Sequence, residues 1–261
     1  MLLIVNLADQ PAGGAEVTAQ ILGLNLERAR VACLAAGPWG NCYLGAVPDL
    51  EPVKYTLRTI PEQRKYYDSA AATYDDEYLH RRNYDYPDRV AHIWASVSVP
   101  SDEPIVDIGC GTGLLGRALG RLTPGVIIDG LDLSRGMLEV AIATTAYRRV
   151  HEANLQVGVP ELHGTYGGVV SSGTFTIAHL GLEALRPVID LGRPSALFVL
   201  GVNRQHFIDE QWPSALDRLI VDGLIGEWDS IRVPIYGDQL PIENLRCADV
   251  VVFRRAGEES R

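Results

Sequence analysis

The sequence predicts an α/β protein of the doubly wound type, in which a mostly parallel sheet is covered by helices on both faces. From about residue 65 onward, short apolar runs alternate with amphipathic stretches, and a glycine-rich loop separates the first run from the first helix. Strands are predicted at residues 104–108, 126–131, 166–171, 196–202, 230–235 and 249–253. Helices are predicted at residues 114–122, 134–147 and 211–223. In such sheets a ligand binds beyond the carboxyl ends of the strands.

A helical N-terminal extension is predicted at residues 1–60, ahead of a main domain at residues 61–261. Residues 15–36 carry a helical pattern that ends at Gly37-Pro38. No group of reactive side chains stands out in this extension. We therefore expect it to serve dimerisation, which implies a homodimer, or to act as a lid.

Composition and charge narrow the classes of partner. Hydrophobic residues make up 47% of the 261 residues and charged residues 21%, which is typical of a globular protein. Acidic residues outnumber basic ones by 33 to 23, giving a net charge of −10. Because an acidic surface repels phosphate backbones and anionic membranes, neither nucleic acid nor a membrane is expected as a partner.

The cellular compartment is predicted from what the sequence lacks. No apolar run approaches the roughly 18–20 residues that span a bilayer, and the first residues lack the charged and apolar parts of a secretory signal. The four cysteines form no CxxC pair, so neither a metal site nor a disulfide framework is expected. A cytoplasmic location is the simplest expectation.

The glycine loop at residues 106–113, VDIGCGTG, lies between a buried strand and an amphipathic helix. Glycines there allow a sharp turn and let a ligand approach the backbone. A GxGxxG pattern also occurs at residues 111–116, so a dinucleotide site is one alternative. We expect Asp107 to face the loop, where its carboxylate repels a pyrophosphate and attracts an ammonium group. A cationic amino-acid nucleoside is therefore favoured over NAD.

A second motif, LDLS at residues 131–134, ends the next predicted strand. An acidic side chain at Asp132 accepts hydrogen bonds from ribose hydroxyls in adenosine cofactors. Ser134 is a predicted N-cap for the following helix. Met137 lies one turn into that helix, either as a cover for an adenine ring or as an ordinary core residue.

These motifs resemble those of the class I S-adenosylmethionine-dependent methyltransferases, through VDIGCGTG at residues 106–113 and GLDLSRGMLEVA at residues 130–141. YYDSAAATYDDEY at residues 66–78 and YGGVVSSGTFTIAHL at residues 166–180 resemble the small-molecule branch that includes the methyltransferase-like protein of the Williams–Beuren region. The resemblance implies a seven-stranded Rossmann-like sheet, S-adenosylmethionine as cofactor and methyl transfer to a small organic molecule.

The resemblance also implies which residues surround the cofactor. Asp107 faces the methionine end, Asp132 holds the ribose, and Tyr67 and Tyr74 belong to a lid. The full set that it implies is Tyr67, Tyr74, Asp107, Gly109, Cys110, Gly111, Asp132, Leu133, Met137, Asn154, Leu155, Ser171 and Ser172. Asn154 stands where the family usually has an acidic residue, which weakens the expected contact with the adenine amine.

His179 is the predicted catalytic base, because it follows the fourth strand within SSGTFTIAH, about two helical turns beyond the two serines. A solvent-facing histidine that caps a helix is the alternative. The predicted substrate pocket contains Thr174, Phe175, Asn203, His206 and Tyr236, with surface-loop positions as the alternative for Asn203 and His206. A non-methylating cyclase or assembly partner of the same fold remains the alternative function.

Overall fold

The computed structural model describes residues 57, 59–80, 82–237 and 244–257. The extension helix predicted at residues 15–36 lies outside the described residues, as does nearly all of the predicted segment at residues 1–60. None of the helices in the described part of the chain is long and apolar enough to cross a membrane.

The described residues form one seven-stranded sheet. Its strands are β1 (Ile105–Ile108), β2 (Ile128–Asp132), β3 (Arg149–Glu152), β4 (Tyr166–Phe175), β5 (Gly192–Asn203), β6 (Ile225–Pro234) and β7 (Cys247–Arg255). Their order is β3-β2-β1-β4-β5-β7-β6, and only β7 pairs antiparallel with both of its neighbours. Because the chain crosses between β1 and β4 where the order reverses, a ligand crevice is expected at their carboxyl ends.

Helices cover both faces of this sheet. They are α1 (Ile60–Ala70), α2 (Tyr86–Val97), α3 (Leu114–Leu122), α4 (Arg135–Ala143), α5 (Leu185–Leu191), α6 (Arg204–Asp209) and α7 (Trp212–Val221). On one face α2, α3 and α4 bury Val90, Leu119 and Leu138 in a common apolar cluster. On the other face α5 and α7 bury Val188 and Leu216. The predicted doubly wound, mostly parallel fold is confirmed.

Several element boundaries depart from the sequence prediction; β6, for example, begins at Ile225 instead of residue 230. Strand β3 was not predicted, because its edge position leaves Arg149 and Glu152 exposed and it has no apolar run. Helix α4 ends at Ala143, four residues before the predicted end at residue 147, and Thr145 takes a positive φ of 59°. Strand β4 continues to Phe175 through an irregular register, instead of ending at residue 171.

A buried carboxylate ties β2 to the chain entering β3. Asp129 accepts two hydrogen bonds from the Arg148 guanidinium, at 2.9 and 2.7 Å, and a third from the Tyr166 hydroxyl at 3.0 Å. Burial of Asp129 opposes its ionisation, but these hydrogen bonds outweigh burial and lower the pKa of the carboxyl. Asp129 is therefore a stabilising anion as long as its partners remain.

We expect Arg148→Ala to lower the free energy of unfolding at pH 7 by about 1–3 kcal/mol, because it leaves a buried carboxylate short of donors. A carboxyl with a lowered folded-state pKa contributes its stability above its ordinary pKa and loses it as the pH falls. The difference between wild type and variant should therefore shrink below about pH 4. Urea denaturation across this pH range measures it. Arg149→Ala, one residue along and exposed, is the matched control.

Candidate active site

A cavity opens at the carboxyl ends of β1, β2 and β4 and holds about 750 Å³ of space between its walls and its mouth. We call it the glycine-loop cavity. Most of the residues predicted to bind a cofactor line it: Tyr67, Tyr74, Gly109, Gly111, Asp132, Leu133, Met137, Asn154, Leu155 and Ser172. The sequence therefore located the cavity from motifs that lie far apart in the chain.

The glycine loop takes its shape from backbone conformations that favour glycine. Gly109 and Gly111 have φ angles of 65° and 53°. A side chain at Gly109 would overlap Thr174, whose hydroxyl donates to the Ile108 carbonyl at 2.9 Å. At Gly111 a Cβ would meet nothing within 4 Å, so the loop faces open space there. Thr174 thus packs behind the loop, while Gly111 leaves room for a ligand.

The Asp132 carboxyl, at the end of β2, holds the glycine loop in place through hydrogen bonds to the backbone. Its Oδ2 accepts from the Gly111 N–H and its Oδ1 from the Ser134 N–H, both at 2.8 Å. Burial raises the pKa of the Asp132 carboxyl, although these backbone hydrogen bonds oppose that shift. The Leu133 N–H is a third backbone donor to this carboxylate, so one of its roughly four lone pairs remains for a hydroxyl group inside the cavity.

Asp107 does not face the cavity. Side chains alternate along β1, so Val106 and Ile108 join one apolar cluster while Asp107 points to the opposite face. There its carboxyl accepts from the Tyr147 hydroxyl at 2.7 Å, and the Tyr147 oxygen in turn accepts from the Gly116 N–H at 3.2 Å. Burial raises the pKa of Asp107 to about 8. The expected contact between this side chain and a ligand ammonium group is therefore not seen.

Two more residues predicted to contact the cofactor lie beneath the cavity rather than in its lining. Cys110 is buried in the apolar cluster that contains Tyr147, and burial raises the pKa of its thiol. Ser171 is fully buried in β4, and its Oγ has no hydrogen-bond partner among the described residues. Both support the loop and the strand instead of forming the wall.

Helix α1 forms a wall of the cavity through contacts that the sequence did not predict. It begins with a capping box, in which the side chains of Thr59 and Glu62 bond each other's backbone N–H groups. Gln63 donates to the Ala178 carbonyl at 2.7 Å. Asp68 accepts from the Ser134 hydroxyl at 2.6 Å and from the Gly136 N–H at 3.0 Å. These contacts fix α1 against the start of α4.

A second unpredicted carboxylate, Asp75, lies at the N-terminus of α3. Its two oxygens accept from the Thr112 hydroxyl at 2.5 Å and from the Arg117 guanidinium at 2.6 Å. The N-terminus of a helix attracts anions, and here a side chain of the protein already supplies one. A pyrophosphate at this helix would meet a negative charge.

A second cavity adjoins the first, and half of the residues that line it are tyrosines. We call it the tyrosine chamber. Its lining comprises Tyr67, Tyr74, Tyr78, Tyr84, Tyr86, Gly173, Phe175, Thr176, His179, Asn203, Ile235 and Tyr236. Tyr74 and Tyr78 stack at 4.3 Å, and the ring of Tyr84 packs edge-on against Tyr78 at 5.5 Å. Burial raises the pKa values of Tyr74 and Tyr84 well above 10, so these phenols stay neutral.

The predicted substrate residues divide between several places. Phe175, Asn203 and Tyr236 line the tyrosine chamber, whereas Thr174 lines the glycine-loop cavity. Asn203 also caps α6, since its side-chain oxygen accepts from the N–H groups of the next turn. His206 lines neither cavity. It is buried with its ring 6.3 Å from that of Trp212, and burial lowers its pKa, so the structure gives it no place in the lining of these two cavities.

His179 lines both cavities. It reaches them from a turn after β4, with Ala178 at a φ of 62°. Its Nδ1 lies 3.0 Å from the Ile177 carbonyl and its Nε2 lies 2.6 Å from the Tyr67 hydroxyl. Because a carbonyl oxygen only accepts, this contact places a proton on Nδ1, and in the neutral form of the imidazole the Nε2 lone pair then faces Tyr67.

We expect Asp107→Asn to change how stability depends on pH. The Asp107 carboxyl keeps its proton up to about pH 8 in the folded protein, whereas the unfolded chain releases it near its ordinary value of 3.8. Stability from this group therefore falls as the pH rises from about 4 to about 8. The asparagine variant should become more stable than wild type over that range, by on the order of a few kcal/mol.

Chemical denaturation of the ligand-free protein between pH 4 and pH 8 measures this difference. Asp229→Asn, an exposed aspartate on β6, is the matched control. A difference for Asp107→Asn that does not change between pH 4 and pH 8 would contradict the raised pKa of Asp107.

Part of this chain is similar in sequence to a known domain family. Residues 105–193 match the methyltransferase domain family. The malonyl-(acyl-carrier protein) O-methyltransferase of Acetivibrio thermocellus is 37% identical over 71 residues, and the enzyme of the same name from Halalkalibacterium halodurans is 57% identical over 42 residues. These matches cover 27% and 15% of this chain and 25% and 16% of the two relatives, so the chain spans a quarter or less of their length.

Solved structures share the architecture at low identity. The TehB-like S-adenosylmethionine-dependent methyltransferase of Corynebacterium glutamicum is similar with a TM-score of 0.52 and 16% identity, over 73% of this chain and 98% of its own. Magnesium protoporphyrin IX methyltransferase of Synechocystis, solved with bound S-adenosylhomocysteine, is similar with a TM-score of 0.51 and 14% identity. The similarity covers 76% of this chain and 99% of that chain. The chain therefore has the fold of these methyltransferases, and its match to the methyltransferase domain family is confined to residues 105–193.

Proposed function

We propose that this protein binds S-adenosylmethionine in the glycine-loop cavity and transfers its methyl group to a small organic molecule in the tyrosine chamber. The observation that carries the proposal is the junction of the two cavities, which share Tyr67, Tyr74, Gly173 and His179. S-adenosylmethionine supplies a methyl group on a positively charged sulfur that leaves uncharged. The protein must therefore position two ligands and accept a proton where the acceptor carries one.

The lining of the glycine-loop cavity suits this cofactor. Asp132 offers a carboxylate lone pair to a ribose hydroxyl, and Gly111 leaves the loop open to a ligand. Met137 and Leu155 give an apolar surface for a flat base. Asn154 stands beside them; its side-chain oxygen already accepts from the Gln156 N–H at 3.1 Å and keeps one lone pair for an adenine amine.

Asp75 argues against a dinucleotide in this cavity. Phosphates of such cofactors bind where a helix N-terminus presents free N–H groups and positive charge. At α3 the Asp75 carboxylate already engages Thr112 and Arg117. This argument replaces the one from Asp107, whose carboxyl lies under the loop and not in the cavity.

The walls of the tyrosine chamber support a small organic acceptor. They combine aromatic faces with hydroxyl groups, which bind organic ligands through contact area and hydrogen bonds. The net charge of −10 disfavours nucleic acid as acceptor. The curated relatives are named for methylation of a malonyl group on a carrier protein, but the chain matches a quarter or less of them. The resemblance of residues 66–78 to the small-molecule branch of class I methyltransferases also supports a small organic acceptor.

We expect calorimetry to show micromolar binding of S-adenosylmethionine and S-adenosylhomocysteine and negligible binding of NAD. Asp132→Ala should weaken cofactor binding by about 1–3 kcal/mol, because it removes an acceptor for the ribose and loosens the loop. Asp132→Asn, which keeps one acceptor oxygen, should lose less. The exposed Asp222→Ala is the matched control, and thermal unfolding without ligand separates loop damage from lost contacts. Tighter binding of NAD than of S-adenosylmethionine would overturn the cofactor assignment.

We expect His179→Ala to lower methyl transfer to a hydroxyl acceptor about 100-fold while leaving cofactor affinity nearly unchanged, since it removes a base and not a ribose contact. Transfer of labelled methyl groups to a panel of small acceptors measures it. His163→Ala, an exposed histidine, is the control. Cofactor binding without transfer to any acceptor would favour a non-methylating protein of the same fold.

A further inference from the structure

The hydrogen bond between Tyr67 and His179 joins two segments 112 residues apart at the boundary of both cavities. We propose that the acceptor is an uncharged aromatic ring bearing a hydroxyl group, and that its proton leaves through Tyr67 to His179. The inference rests on the proposed function and names the acceptor class and a second catalytic residue for the same site.

The direction of proton transfer follows from the tautomer of His179. The Ile177 carbonyl fixes the proton on Nδ1, which leaves one lone pair on Nε2. The Tyr67 hydroxyl donates to that lone pair at 2.6 Å. An acceptor in the chamber therefore finds the basic nitrogen of His179 covered, and the Tyr67 oxygen is the atom that can take its proton. Tyr67 passes its own proton to Nε2 in the same event.

The chamber disfavours a positively charged acceptor. Its lining contains no aspartate or glutamate within the described residues. The guanidinium of Arg82 lies 5.3 Å from the centre of the Tyr78 ring, and that of Arg246 lies 5.7 Å from the centre of the Tyr236 ring. Two wall tyrosines thus already engage cations through their rings. An ammonium ligand would find these two ring faces already engaged and no carboxylate among the described lining residues.

A carboxylate acceptor is disfavoured for the complementary reason. No lysine or arginine lines the chamber among the described residues, so a buried carboxylate would have no adjacent cation. The neighbouring Arg82 is already bonded to the Glu77 carboxylate at 2.9 Å. The wall itself is neutral, because burial holds the tyrosine pKa values above their ordinary range. Of the three kinds of ligand, an uncharged ring therefore has the smallest desolvation penalty on binding in the chamber.

An aromatic ring also matches the shape and chemistry of the walls. Tyr74 stacks on Tyr78, and Tyr84 packs edge-on against Tyr78. A further aromatic ring can pack against these tyrosines in the same stacked or edge-on geometries. Tyr86 adds a polar atom, since its buried hydroxyl has no hydrogen-bond partner among the described residues. A ligand with a flat ring and a hydroxyl oxygen could pack against the tyrosine rings and hydrogen-bond to the Tyr86 hydroxyl.

The proposed reaction moves a methyl group from sulfur to the acceptor oxygen and a proton from that oxygen to the protein. The acceptor oxygen forms a bond to the methyl carbon while the carbon–sulfur bond breaks, and that electron pair stays on sulfur. The hydroxyl proton moves to the Tyr67 oxygen, the Tyr67 proton moves to Nε2, and His179 becomes an imidazolium. Its positive charge replaces the positive charge lost from sulfur, and solvent later removes the proton.

Binding of a matched ligand series tests the acceptor class without any reaction. We expect 2-naphthol to bind to the protein saturated with S-adenosylhomocysteine at least about tenfold more tightly than 2-naphthoate or 2-naphthylmethylammonium, as measured by calorimetry. Tyr236→Ala should weaken 2-naphthol binding about tenfold and leave S-adenosylhomocysteine binding unchanged. Equal or tighter binding of either charged analogue would overturn the acceptor class.

The proton route is tested with Tyr67→Phe, which removes one oxygen and keeps the ring. We expect turnover with 2-naphthol to fall about 100-fold or more, with KM and cofactor affinity within about twofold of wild type. Tyr66→Phe, the neighbouring residue on α1, lines neither cavity and is the matched control. In protein whose histidines are labelled with ¹⁵N, nuclear magnetic resonance should show the Nδ1–H tautomer for His179. The chemical shift of the His179 Nε2 should change in Tyr67→Phe.

Unchanged turnover in Tyr67→Phe, or an Nε2–H tautomer in wild type, would overturn the proton route. If cofactor binds and methyl groups go to other acceptors but never to 2-naphthol, the acceptor class is wrong while the proposed function stands. If neither cofactor binding nor transfer to any acceptor is seen, the proposed function itself fails.

Discussion

The carboxylate of Asp132 is the point on which the site depends. It holds the glycine loop through the Gly111 N–H and the start of α4 through the Ser134 N–H. The Ser134 hydroxyl then bonds Asp68 on α1. One buried side chain thus connects the loop, the end of β2 and two helices, and each of these forms part of the glycine-loop cavity. Under the proposed function, the same carboxylate would also accept a hydrogen bond from the ribose, so one group would serve as both anchor and ligand contact.

Acidic side chains serve as structural anions throughout this site. Asp68 lies at the N-terminus of α4 and Asp75 at that of α3, where the helix dipole favours negative charge. Hydrogen bonds from Ser134 and Gly136 lower the pKa of Asp68, which keeps it ionised. Asp107 differs because its buried carboxyl has a single hydroxyl donor, and its pKa rises to about 8. Burial is the largest cause of the raised pKa of Asp107, whereas hydrogen bonds outweigh burial at Asp68.

The two cavities differ in the chemistry of their walls. The glycine-loop cavity is built from backbone, a carboxylate and apolar side chains, which suits a ligand with hydroxyl groups, a flat base and positive charge. The tyrosine chamber is neutral and aromatic, and it meets the first cavity at Tyr67 and His179. A proton acceptor placed at the boundary can serve chemistry between two ligands without contacting the ribose or the base. That separation of roles lets cofactor affinity and turnover be perturbed independently.

The sequence by itself determined the local features. Glycine conformations, the Ser134 cap and the alternation of strands with helices are set by residues close together in the chain, and α3 was predicted with its observed bounds of Leu114–Leu122. Tertiary structure decided what depends on distant partners. The edge strand β3 has no apolar run, Asp107 turns to Tyr147 across 40 residues, and His206 packs into the core against Trp212. The pairing of Tyr67 with His179 spans 112 residues, and no sequence periodicity encodes a contact made only when α1 packs over the sheet.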